Sequence, residues 1–202
     1  VNDGSIFIFS VGVALATWLA ARTAANAAGL DAGPTPRLPL IIASAIATWA
    51  AHDRHDSAGP LLAAAIVGVT ACAIGDQRTG YLFDRAIVVL SAVLITLAAI
   101  GGNLGSALIA GTIVASPLLM LYAITGGRGL GLGDVKLAFP IGVGLGALAG
   151  LGALGAAFIA GGTLGVVLLA RGCARTSAIR FGPFLAFGTA ASALVPIAAV
   201  LH

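Results

Sequence analysis

The chain has no glutamate and a single lysine, and charged residues make up 8% of its 202 positions. Soluble domains carry about 25% charged residues, so this sequence is not built for a surface in water. Alternation of apolar and polar residues is also missing from the apolar runs, which excludes a membrane β-barrel. Cysteines are scarce as well. Cys72 and Cys173 stand alone, with no C-x-x-C pair that would hold zinc. What remains is 59% hydrophobic residues and a mean hydropathy of +1.10. Residues 86–125 and 137–170 contain no Asp, Lys or Arg at all. A membrane-spanning helix needs about 20 mostly apolar residues, so each run has room for two.

The expected fold is therefore all-α: a polytopic membrane protein of about eight transmembrane helices. Hydrophobic periodicity and breakers put them near 5–22, 38–51, 58–75, 85–100, 104–124, 136–149, 151–170 and 181–201. The two internal breaks are expected at Gly101-Gly102-Asn103 and around Gly150-Leu151-Gly152. Residues 23–37, with Gly33-Pro34-Thr35-Pro36, form the longest polar connection. No basic region precedes residues 5–22 and Arg22 follows them, so a retained helix is expected in place of a signal peptide. Trp18 and Trp49, near helix ends, are expected to be interface anchors. Gly142, Gly146 and Gly150 follow the small-xxx-small spacing of close helix packing, as do Gly161 and Gly165.

Basic residues orient the bundle. With the N-terminus outside, the inside connections hold Arg22, Arg37, Arg78, Arg85, Arg128, Lys136, Arg171, Arg175 and Arg180, and the outside ones hold Arg54 alone. Such a bias is the positive-inside signal. It accounts for the net charge of +3, and no nucleic-acid surface is needed.

Seven acidic residues are present, all aspartates. Asp3, Asp31, Asp53 and Asp56 fall in hydrated connections, and Asp84 suits the start of a helix, where a carboxylate is favoured. Asp76 and Asp134 are different, because apolar helix flanks both tightly. The hairpin between them returns both to the inside membrane face. An ionisable group at membrane depth is costly and marks a functional candidate. The plain alternative is that each marks a helix end and is neutralised by a neighbour, Arg78 for Asp76 and Lys136 for Asp134. Two close carboxylates cannot both ionise easily, so they share a proton. One can then deprotonate water while the other polarises a carbonyl. "AHDRHD" at 51–56 offers His52, Asp53, His55 and Asp56 as metal ligands, but a hydrated loop explains it better. The glycines of 129–133 follow no strand, so nucleotide binding is set aside.

"GLGD" at 131–134 fits the GxGD signature of membrane aspartyl proteases, and "GDVKLAFPIGVGLG" resembles the type IV prepilin peptidase branch of that group. "GDQRTGYLFD" at 75–84 is similar to that family's first-aspartate segment, and "FGPFLAFG" at 181–188 to the segment opening its last helix. The resemblance covers about residues 60–202. It implies a six-helix peptidase core at 58–202 behind an N-terminal helix pair at 1–57. It also implies an Asp76/Asp134 catalytic pair that cleaves the leader from pilin-like precursors at the cytoplasmic face of the inner membrane. Gly131, Gly133, Lys136, Gly182 and Pro183 are the expected substrate-side residues, with no cofactor and no metal. Leu82-Phe83 replace the family's usual Ile-Pro, so the fixed φ of proline is absent before the following helix. Residues 23–37 lack the cysteine-rich segment linked to zinc and N-methylation in larger members, so that second activity is not expected. The alternatives are a protease of the presenilin or signal-peptide-peptidase type, whose Pro-Ala-Leu motif is replaced here by "GPFLAFG", and a small transporter using the carboxylates for protons. The charges of the leader are expected to meet Asp84 or lipid headgroups.

Overall fold

The computed structural model describes residues 3–31, 33–52, 58–172 and 180–194. They form eight helices and, among the described residues, no strand: α1 Asp3–Ala27, α2 Arg37–Ala51, α3 Ala58–Thr79, α4 Asp84–Ile100, α5 Leu104–Thr125, α6 Leu132–Leu145, α7 Ala147–Ala170 and α8 Gly182–Leu194. Four of them, α1, α3, α5 and α7, are long and apolar enough to cross a membrane. At 1.5 Å per residue the shortest of these, with 22 residues, extends about 33 Å, against about 30 Å of hydrocarbon. The chain is an all-α membrane protein.

Helix α3 is the axis. Fourteen of its residues are buried, from Gly59 to Asp76, and they lie on every side of it. A helix that is apolar all round belongs inside a bundle, and α3 is packed by α1, α2, α4, α6 and α8. In lipid this packing gains little from leaving water, so it rests on close contact between small residues. Ala63, Ala64, Ala65, Gly68, Ala71 and Ala73 supply it on α3. The tightest approach elsewhere joins α8 to α7: a Cβ at Gly188 would sit 2.1 Å from the Ala153 carbonyl oxygen.

Several expectations change here. Helix α1 runs on to Ala27, which shortens the connection to α2. The break at Gly101–Asn103 holds, with Gly102 at φ 73°. The second break falls at Gly146, at φ 84°, a few residues before the place expected. Gly146 is thus a hinge between α6 and α7, and not a packing step. Gly142 and Gly150 do meet across it, since a Cβ at Gly150 would lie 3.3 Å from the Gly142 Cα. Helix α6 begins at Leu132, so Asp134 belongs to its first turn and not to the preceding connection. Trp18 is fully buried, with the Arg78 guanidinium 5.2 Å from its ring centre, and is no interface anchor. Trp49 is 68% exposed, as an anchor would be. The last expected helix is described only as far as Leu194. Arg54, Asp53, His55, Asp56, Cys173 and Arg175 lie outside the described residues.

One end of the bundle gathers the C-terminal ends of α1, α3, α5 and α7 with the starts of α2, α4, α6 and α8. Two arginine-to-carbonyl contacts help tie it together. Arg78 donates to the Pro34 carbonyl and Arg180 to that of Gln77. Both aspartates lie at this end.

Candidate active site

Asp76 stands in the last turn of α3. Gly80, left-handed at φ 77°, ends the helix, and its N–H still reaches the Asp76 carbonyl at 2.8 Å. The backbone of Asp76 is thereby satisfied, and its side chain is left to face the bundle. There it accepts from the N–H of Gly182, at the start of α8, and feels the charge of Arg180. The contact with α8 is close. A Cβ at Gly182 would lie 2.7 Å from Asp76 Oδ2.

Asp134 is the third residue of α6. Gly131, extended at φ −73° and ψ 144°, is the N-cap. Its carbonyl accepts from the Asp134 N–H at 3.1 Å, and its own N–H donates back to the Asp134 carboxylate. The second bond is one half of a capping box; glycine has no side chain to supply the other half, and its carbonyl accepts from the Asp134 N–H instead. Gly133 beside it presses on the 80–83 connection: its missing Cβ would fall 2.7 Å from Leu82 Cβ.

The two carboxylates are 6% and 8% exposed, and no other charged side chain among the described residues is buried. They act on each other, since Asp76 is the charged group whose field reaches Asp134. A helix-end role accounts for Asp134, because a carboxylate suits an N-terminal turn. It does not account for Asp76, which stands at the C-terminal end of α3, where the helix dipole disfavours negative charge. The neighbours assumed in the helix-end reading are also rearranged. Lys136 binds both oxygens of Asp84 at 2.8 Å and leaves Asp134 to the Gly131 amide. Asp84 thus carries a cation of this chain, although its side chain stays 66% accessible.

Of the residues singled out by sequence, Asp76, Asp134, Gly131 and Gly182 converge on the pair. Gly133 supports it through Leu82. Pro183 is the second residue of α8, a position that needs no N–H and suits proline. Lys136 faces away, toward α4. Sequence reasoning missed Arg180 and Leu82. Arg180 counted only toward the inside charge, although its position directly before Phe181-Gly182-Pro183 was a usable signal. No group of three or more His, Cys or Asp residues with metal-holding geometry occurs among the described residues. A groove of about 580 Å³ runs between Ala24, Ala28 and Leu30 of α1 and its end, and Tyr81 to Arg85; neither Asp76 nor Asp134 lines it.

Fold and site together define a helical membrane protein with a buried carboxylate pair at one end of its bundle. Comparison with family models, curated proteins and solved structures finds no match for the chain.

Proposed function

We propose that this protein is a membrane-embedded aspartyl endopeptidase of the type IV prepilin peptidase kind. In this reading all eight helices cross the bilayer, the shorter ones with help from their flanking residues. The site end faces the cytoplasm, and residues 58–202 form the peptidase core. The observation that carries the reading is the pair itself. The only two buried charges among the described residues interact with each other, although 58 positions separate them in the chain. Burying one carboxylate is costly, and burying two within reach of each other's charge is more so. Orientation draws support from the cations: Arg22, Arg37, Arg78, Arg85, Arg128, Lys136, Arg171 and Arg180 all lie on, or within two turns of, the helix ends around the site.

The chemistry follows from one shared proton. The ionised carboxylate takes a proton from a water molecule as its oxygen attacks the scissile carbonyl carbon. The protonated partner gives its proton to the carbonyl oxygen, which leaves a neutral gem-diol. Collapse of the diol breaks the C–N bond. One hydroxyl proton returns to the dyad, the leaving nitrogen receives the other dyad proton, and the pair ends with one proton as it began. No cofactor takes part. The substrate is a pilin-like precursor, a single hydrophobic helix in the bilayer with a short basic leader on the cytoplasmic side.

The test is replacement of each aspartate. Asp76→Asn and Asp134→Asn should each abolish processing of a pilin precursor in proteoliposomes, with helix content and membrane insertion unchanged. Cleavage at the unaltered rate by either variant would refute the assignment. Proton-coupled solute uptake lost in both variants, with no cleavage by the parent protein, would favour a transporter.

A further inference from the structure

The two segments that carry the aspartates touch at two places outside the site. Leaving Asp76, the chain ends α3, crosses residues 80–83 and enters α4 at Asp84. Leaving Gly131, it enters α6 through Gly133, Asp134 and Lys136. Leu82 fills the space where a Gly133 Cβ would stand. Two residues past Leu82 and three past Gly133, Lys136 Nζ binds both Asp84 carboxylate oxygens at 2.8 Å. These contacts form a clasp between the Asp76 and Asp134 segments, one part apolar and one part ionic. Lys136 is the only lysine in the chain.

We propose that Lys136 and Asp84 are positioning residues that hold the two carboxylates at their working separation. The role assigned to the dyad rests on the protease reading, whereas the clasp itself is a statement about geometry. Lys136 and Asp84 touch neither water nor peptide during the reaction; they act through the first turns of α6 and α4. The pair is about half exposed, with side chains 43% and 66% accessible. An ion pair of that kind contributes little to overall stability, so losing it should leave the fold intact. It should instead loosen the register of α6 against α4, and a small misplacement of reacting groups lowers turnover steeply.

Two measurements on the full-length protein test this. In the first, Lys136→Met and Asp84→Asn should each lower kcat for precursor processing about tenfold with KM changed less than about twofold. Lys136→Arg, which keeps the charge and can still reach Asp84, should retain most of kcat. A raised KM with kcat unchanged would overturn the proposal and make Lys136 a substrate contact. The second measurement needs no protease activity. With Cys72 and Cys173 replaced by alanine, cysteines at positions 82 and 133, where a Cβ at 133 lies 2.7 Å from that of Leu82, should form a disulfide under mild oxidant. Adding Lys136→Met should slow that reaction severalfold. An unchanged rate would overturn the clasp whatever the protein's activity, while a slowed rate without any processing by the parent would keep the clasp and reject the protease.

Discussion

Gly182→Ala is a minimal perturbation of the dyad, because it adds one methyl group against Asp76. The added Cβ would meet Asp76 Oδ2 at 2.7 Å, Cβ at 3.2 Å and Cγ at 3.3 Å. Rotating the carboxyl group alone relieves only the first of these, so the side chain has to move as a whole. Going from 2.7 Å to the 3.4 Å of ordinary contact displaces the carboxyl by roughly 0.7 Å. That shift also strains the bond from the Gly182 N–H. The backbone is not the obstacle, since Gly182 is not among the glycines with positive φ. Overpacking of this size costs about 1–3 kcal/mol of stability, whereas misplacing a reacting group by about 1 Å can cost about a hundredfold in rate. Gly182→Ala should therefore insert and fold, yet process precursor about 10- to 100-fold more slowly. The assay is the time course of leader removal in proteoliposomes, followed by mass, with thermal unfolding measured on the same sample. Gly155→Ala is the control: Gly155, on α7, has nothing within 4 Å of where its Cβ would stand, so its rate should be unchanged. Parental turnover by Gly182→Ala would refute the argument that α8 holds Asp76 in place.

Two more outcomes follow from the same close contacts. Gly188→Ala sets a methyl group 2.1 Å from the Ala153 carbonyl oxygen, a backbone atom that cannot rotate away. It should lower stability by about 1–3 kcal/mol, read as a lower midpoint of unfolding in detergent, and an unchanged midpoint would mean that α7 and α8 are less tightly packed. On the substrate side, a Cβ at Gly131 would already lie 3.2 Å from Asp134 Oδ2, so there is little room beside the pair. A precursor with valine in place of the glycine next to the cut bond should be processed far more slowly than one with a shortened leader; equal trimming of the valine and glycine precursors would contradict the close-approach argument.

The sequence by itself determined the properties that depend on local composition. Charge-free runs longer than a bilayer needs made helices in a membrane the outcome. The glycines at 101–102 broke the first long run where expected. Asp76 and Asp134 stood out because apolar helix surrounds them, and burial in such a setting is costly for any carboxylate. Contacts between distant segments were not legible. Lys136 reads as the neighbour of Asp134, only two residues away. Residues two apart on a helix point in different directions, and the lysine reaches Asp84, 52 positions back. Trp18 sits where an interface anchor would, yet it is buried, because only the packing of α1 on α3 decides which face of α1 meets lipid. The break at Gly146 could not be told from a packing glycine, since spacing alone does not reveal a left-handed φ. Arg180 comes to the end of α3 from 103 residues away. Pairing of that kind depends on how the helices are arranged around α3, which only the tertiary structure decides.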